Sequence, residues 1–217
     1  LREYYGAKVN IARHQRRGDR IFFFKETRLS RWIASKSRGK KIAVSEKGLR
    51  PFRKEDLRLP GRHNLRNAVM AASVARNLGV PEKIIRLAVR KFRGLEHRLE
   101  FVRKIMVRPI RHAQDKQAHH KNKSAIYFYN DSASTNPQTS AAAIRAFPRI
   151  TKILIAGGED KGLDYKPLAK ALKNSKTKLV ILFGENRKKI ARALRLSGVP
   201  LRFAPDLGSA IRAASRR

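Results

Sequence analysis

The chain has 217 residues, 41% of them hydrophobic, enough for one large or two small domains that each bury a core. It has no cysteine, which excludes disulfides and thiolate metal sites, and no run of about 18 apolar residues that would read as a membrane span. Against 16 Asp and Glu stand 52 Lys and Arg, a formal charge of +36 that favours polyanions. The basic residues are spread along the chain, and diffuse charge more often solvates a surface than marks a site. No secretory signal opens the chain, and the expected location is the cytosol. The start at Leu1 and the unstopped helical pattern in AIRAASRR read as a piece of a longer protein.

Apolar runs alternate with helical patterns, the signature of α/β organisation with a largely parallel sheet. Ile21–Phe24 and Ile42–Val44 read as short strands around a helix in ETRLSRWIAS. After LPGRHN, the apolar face of Val69, Ala72, Ala75 and Leu78 predicts a helix from about Leu65 to Leu78, stopped by Gly79. VPEKIIRLAVRKF starts another, with Pro81 in its first turn and Glu82 near the positive end of its dipole. RGLEH carries the break that divides an expected domain 1–94 from a second, 95–217.

Beyond the break, strands are expected at Leu99–Arg103, Ala125–Tyr129, Ile153–Ile155, Leu179–Phe183 and Leu201–Phe203. Helices are expected at Gln138–Ala146, Lys166–Leu172, Arg187–Leu196 and Leu207–Ala214. This is a Rossmann-like order, whose functional residues belong at the carboxyl ends of the strands. The polar, His-rich stretch Arg111–Lys123 reads as a solvated loop, and its paired His119 and His120 make a weak metal candidate.

Asp131, in YNDSASTNPQT, follows an expected strand, where a carboxylate accepts from ribose hydroxyls or faces a metal. The Ser, Thr and Asn groups beside it suit a carboxylate or phosphate near a helix N-terminus. Asp131, Ser134 and Asn136 can equally do no more than cap that helix. In AGGEDKG, paired glycines allow close backbone approach and Lys161 projects as a point charge suited to an anion. Two such turns at adjacent strand ends would converge on one cleft. In GRHNLRN, Asn64 and Asn67 lie three apart at a helix start and can face the same side, although Asn64 also suits the N-cap. Arg98 follows the break, where a guanidinium can reach into an interdomain cleft, although without further context a surface arginine among many is the stronger reading. A G-x-x-x-x-G-K-[ST] triphosphate loop is absent from these residues.

YYGAKVNIARHQ, LPGRHNLRNAVMAA, FRGLEHRLEFV, YNDSASTNP and IAGGEDKGLDYKPLA occur in this order. Together they resemble the Mur ligases of peptidoglycan synthesis, most closely the type that adds D-glutamate to UDP-N-acetylmuramoyl-L-alanine. The resemblance implies the end of a central ATP-binding domain followed by most of a Rossmann-like C-terminal domain. It implies ATP and Mg²⁺ as cofactors, and a reaction in which ATP phosphorylates the L-alanine carboxylate before the amine of D-glutamate attacks the acyl phosphate. By the same resemblance, Lys8 matches a carbamylated lysine that helps hold a second Mg²⁺. Asn64 and Asn67 match nucleotide-facing asparagines, Arg98 an arginine that reaches ATP, and Asp131 an aspartate at the ribose or phosphate. Thr135 and Lys161 match residues that engage the incoming D-glutamate. A monomeric complete enzyme is implied, with the fragment inactive by itself for want of the triphosphate loop. The chain departs from the family pattern at Ala133, where Lys is usual, and in the Arg111–Lys123 stretch, which reads as an insertion. The second reading, from the charge and Ala133, is a degenerate ligase remnant that serves as a basic nucleic-acid or ribosome-binding module.

Overall fold

A computed structural model describes residues 2–45, 56–107 and 124–215. The Arg111–Lys123 stretch, with the paired His119 and His120, lies outside the described residues. Contacts divide the chain into one unit, Leu1–Arg93, and another, Gly94–Arg217.

The first unit opens with α1 (Arg2–Arg13), β1 (Arg20–Phe24), α2 (Arg28–Ser35) and β2 (Lys40–Val44). β1 and β2 pair in parallel, Arg20 opposite Lys40 and Phe24 opposite Val44, with α2 as the crossover. Small side chains let the helices approach the strands, and Ala12, Ile21 and Ala34 form one buried cluster. α1 was not expected from sequence, because Gly6 interrupts its pattern. Its inner face is nevertheless fully buried at Val9 and Ala12, and tertiary burial outweighs the roughly 1 kcal/mol disadvantage of a helical glycine.

Next come α3 (Arg62–Asn77) and α4 (Glu82–Lys91), which pack through Leu65, Ala72 and Ile85. α3 starts three residues earlier than the expected Leu65, because Gly61, at φ 97°, takes the N-cap position. α3 runs antiparallel to β1, and an arginine fixes each end. Arg20 donates to the Asn77 carbonyl at 3.2 Å and to its Oδ1 at 2.7 Å. Arg66 lies 4.7 Å from the Phe24 ring centre and donates to Thr27 Oγ1 at 3.2 Å. The start of α3 is therefore held at the carboxyl end of β1.

In the second unit, β3 (Glu100–Val107) and β4 (Ser124–Asn130) pair antiparallel, with a bulge after Phe101. It is the antiparallel pair beside the parallel pairs of an order expected to be largely parallel. Cross-strand side chains hold the register: the Phe101 and Tyr129 rings meet edge-on at 5.8 Å, and the Lys104 ammonium lies 5.4 Å from the Tyr127 ring centre.

After α5 (Pro137–Ala146), the strands β5 (Lys152–Gly157), β6 (Thr177–Phe183) and β7 (Leu201–Phe203) form a parallel sheet in that order. The helices α6 (Lys166–Lys173), α7 (Arg187–Leu194) and α8 (Leu207–Ser215) follow β5, β6 and β7. β6 is buried on both faces, and its two-residue period splits the core. Val180 and Leu182 join Ala141, Leu168, Leu172 and Leu194, whereas Leu179 and Ile181 join Ala204 and Ala210.

The turns leaving β5 and β6 press backbone on backbone. A Cβ at Gly157 would overlap the Phe183 carbonyl, and one at Gly184 would lie 2.8 Å from the Gly158 nitrogen. Gly157→Ala is expected to lower the unfolding free energy by about 1–3 kcal/mol, since backbone has to move to make room. Gly18→Ala, with nothing within 4 Å of the added carbon, is expected to change it by less than about 1 kcal/mol. Urea denaturation followed by circular dichroism checks both.

Candidate functional site

The loop after β4 is organised by one carboxylate. Asp131 Oδ1 accepts from the Leu99 amide at 3.0 Å, and Oδ2 accepts from the Ser134 hydroxyl at 2.6 Å. A second strut runs from the Ala133 amide to the His97 carbonyl at 2.9 Å. Asn130 and His97 meet side chain to side chain at 2.8 Å, and the His97 amide donates to Glu100 Oε2 at 2.9 Å. These bonds hold an unusual backbone, because His97 and Leu99 have φ of 62° and 46°. Left-handed conformations disfavour L-residues by about 1–2 kcal/mol each. Hydrogen bonds to charged groups contribute about 1.5–3 kcal/mol each, so the Asp131 and Glu100 carboxylates suffice to hold both residues there. Leu99 is buried, and Arg98, between the two strained residues, is exposed.

Capping of α5 falls to Asn136, whose side chain accepts from the Thr139 amide at 2.9 Å. Asp131 does not cap the helix; it ties the β4 end to the segment before β3. A carboxylate has about four lone-pair sites, so two bonds leave capacity for a ligand hydroxyl. Thr135 is exposed, with its amide held by the Ala133 carbonyl at 3.0 Å. Arg98, Asp131 and Thr135 thus belong to one loop cluster.

A second cluster lies at the carboxyl end of β5 and β6. Asn186 opens α7 and is 6% exposed. Its amide donates to the Gly158 carbonyl at 3.2 Å. Its Nδ2 donates to the Glu159 carbonyl and the Tyr165 hydroxyl, each at 3.0 Å. Its Oδ1 is buried without a hydrogen-bond partner among the described residues. Asp160 accepts from Lys189 through both oxygens at 2.8 Å and from the Gly162 amide at 2.9 Å. The Lys189 hydrogen bond, followed by that from Gly162, holds its carboxyl below the ordinary 3.8. This tie is present above the ordinary carboxylate range and is lost as pH falls through the lowered pKa. Between Asp160 and Gly162, which has φ 65°, Lys161 is exposed and engaged by no described residue.

Acidic residues are polarised in this module. Between 148 and 215 they are Glu159, Asp160 and Asp164 after β5, Glu185 after β6 and Asp206 after β7, all at the carboxyl end. No hydrogen bond or ion pair among the described residues joins the Asp131 cluster to the Lys161 turn.

In the first unit, Asn64 is 6% exposed and donates to the Pro60 carbonyl at 2.8 Å, whereas Asn67 is exposed. Asn64 is therefore not the N-cap; it fastens the loop that leads into α3. Lys8 is exposed on α1. Groups of three or more His, Asp or Glu able to hold a metal are absent among the described residues.

Sequence reading missed Asn186, Tyr165 and the struts through His97 and Ala133. A sequence signal for the first existed, since Gly184-Glu185-Asn186 repeats, after β6, the glycine turn that follows β5.

Residues 97–217 match the family model described as Mur ligase, glutamate ligase domain. The UDP-N-acetylmuramoylalanine–D-glutamate ligase of Natranaerobius thermophilus is 33% identical over 215 residues, covering 89% of this chain and 42% of that protein. The ligase of the same name from Lachnoclostridium phytofermentans is 34% identical over 220 residues, covering 92% and 44%. The chain thus spans less than half the length of these curated relatives. A solved structure of MurF from Acinetobacter baumannii shares the fold, with a TM-score of 0.68 at 17% identity over 97% of this chain and 48% of that one. With the model matching more than half of its residues, the chain belongs to the Mur ligase family.

Proposed function

We propose that the chain is part of an ATP-dependent, amide-forming ligase that adds D-glutamate to UDP-N-acetylmuramoyl-L-alanine in peptidoglycan synthesis. The observation that carries this reading is the run of similarity to two D-glutamate ligases through 89% and 92% of the chain. Residues 1–94 then form the latter part of a central ATP-binding domain, and 95–217 most of the glutamate ligase domain. The nucleotide substrates put the parent enzyme in the cytoplasm.

The chemistry asks the protein chiefly for positioning and for neutralisation of developing charge. ATP phosphorylates the L-alanine carboxylate; the D-glutamate amine attacks that carbon, and phosphate leaves as the amide forms. Arg98, exposed on a backbone that its neighbours hold rigid, offers a guanidinium to nucleotide phosphate. Asp131 accepts from a ribose hydroxyl with its remaining lone pairs. Asn67 meets the adenine, and Asn64 acts through the Pro60 carbonyl by fixing the loop that presents it. Lys161 and Thr135 receive the carboxylates of D-glutamate.

Lys8, as a carbamate, would be this chain's contribution to holding a second Mg²⁺. The ion, when bound, supplies charge neutralisation at phosphate oxygens. Mg²⁺ usually takes only one or two protein carboxylates beside phosphates and waters, so a single carbamate ligand fits without an acidic cluster.

The complete parent protein is expected to release phosphate only when both UDP-N-acetylmuramoyl-L-alanine and D-glutamate are present. Lack of release with any amino acid would overturn the enzyme reading. Lys161→Ala in that protein is expected to raise the KM for D-glutamate about tenfold or more, as for loss of one charged hydrogen bond, while the KM for ATP stays within about twofold. Equal losses for both would make Lys161 structural. Lys8→Ala is expected to lower kcat, with partial recovery on adding short-chain carboxylic acids; full activity without them would remove the carbamate.

A further inference from the structure

Among the described residues from 148 to 215, none of the acidic ones lies at the end of the β5–β7 sheet opposite the Lys161 turn; all five lie at the carboxyl end. Arg149, before β5, Lys173, the last residue of α6, Lys176, between α6 and β6, and Arg195, before β7, are all exposed at that amino-terminal end. Lys178 and Arg202 add two more cations at an open hollow of about 430 Å³, lined also by Leu179, Pro200 and Leu201. The hollow begins where the β5–β6 register slips, Lys152 lying opposite Thr177 but Ile153 opposite Leu179, so that Lys178 is the extra residue.

Helix carbonyl ends account for part of this charge. Lys173 stands in the last turn of α6 and Arg195 at the C-cap of α7, where cations complement the dipole. Arg149, Lys176, Lys178 and Arg202 stand outside both helices and exceed that need. Two large apolar side chains sit among them: Ile150 is 58% exposed and Leu196 is 81% exposed. Singly, such residues are ordinary. Set beside Arg149 and Arg195, on the acid-free end of a sheet, they form a combination with a specific use.

We propose that this end of the module docks peripherally on an anionic lipid bilayer, the cations meeting lipid phosphates while Ile150 and Leu196 enter the headgroup boundary. Near a negatively charged leaflet each cation strengthens binding by about fivefold, and apolar side chains add burial that a phosphodiester backbone does not offer. The apolar pair is what favours a bilayer over nucleic acid, which the charge alone would serve equally well. Docked this way, the Lys161 turn at the other end of the sheet faces solvent. The proposal stands apart from the ligase reading, since its test involves neither ATP nor turnover.

Flotation of the 217-residue chain with vesicles tests it. The chain is expected to float with phosphatidylcholine vesicles containing about 30% phosphatidylglycerol, to be released by about 0.5 M salt, and not to float with pure phosphatidylcholine. Lys173→Glu with Lys176→Glu is expected to weaken binding about tenfold or more. Ile150→Ser with Leu196→Ser is expected to weaken it about fivefold or more without changing the charge. Arg17→Glu with Arg38→Glu, the same charge change in the other unit, is expected to have less than about a twofold effect. Far-UV circular dichroism establishes that each variant folds. Absent flotation, an equal loss in the Arg17 and Arg38 control, or an unaffected Ile150 and Leu196 variant would overturn the proposal. An RNA oligomer bound through the same lysines, with the apolar pair irrelevant, would reassign the surface to nucleic acid.

Discussion

The second unit's site depends on the Asp131 carboxylate. Its two oxygens bridge the Leu99 amide and the Ser134 hydroxyl, joining the segment before β3 to the loop after β4. That bridge keeps two residues without glycine's freedom at positive φ, and the conformation leaves Arg98 exposed above a buried Leu99. Without the carboxylate, His97 and Leu99 would be expected to relax, since local strain persists only where the surroundings over-determine it. An acidic residue that reads as a ligand contact is thus first a builder of the loop that carries Arg98 and Thr135, both exposed. The two roles are compatible because a carboxylate accepts more bonds than this loop supplies.

A different solution operates at β5 and β6. There the turns are fixed by absence of side chains, Gly157 and Gly184 allowing backbone contact, and by Asn186, which binds the β5 turn through both its amide and its Nδ2. Parallel βα order places both turns, and the acidic residues after each strand, at one end of the sheet. The opposite end is left to helix C-termini and cations. The same topology therefore separates two chemistries within one small module, with a lysine presented between a tethered aspartate and a glycine at one end and an acid-free apolar and basic surface at the other.

Much of the α/β order was legible because strands of three to eight residues and helices of eight to sixteen carry distinct periods, as in Leu179–Phe183 and Val69–Leu78. α1 was not, since Gly6 breaks its pattern and only packing of Val9 and Ala12 restores it. The antiparallel pairing of β3 with β4 was also hidden, because pairing direction depends on partners distant in sequence. Among the site residues, Asp131, Asn64 and Lys161 stood out by type and position, but the direction of each side chain did not. Asn64 points back to Pro60, whereas Asn67, one turn on, is exposed. Asn186 went unnoticed because a single polar residue after a strand has no pattern until the neighbouring turn is placed against it. Family resemblance suggests roles that geometry alone does not, such as that of Lys8, an exposed residue of α1.

The most direct measurement is amide hydrogen exchange in Asp131→Ala against the unmodified chain. Loss of protection at Leu99 and Ala133, with Val180 and Leu182 in the β6 core unchanged, is the predicted result, since only the tie between the two loop segments is removed. Undiminished protection at Leu99 would show that the strained segment holds itself, and would contradict the organising role assigned to Asp131.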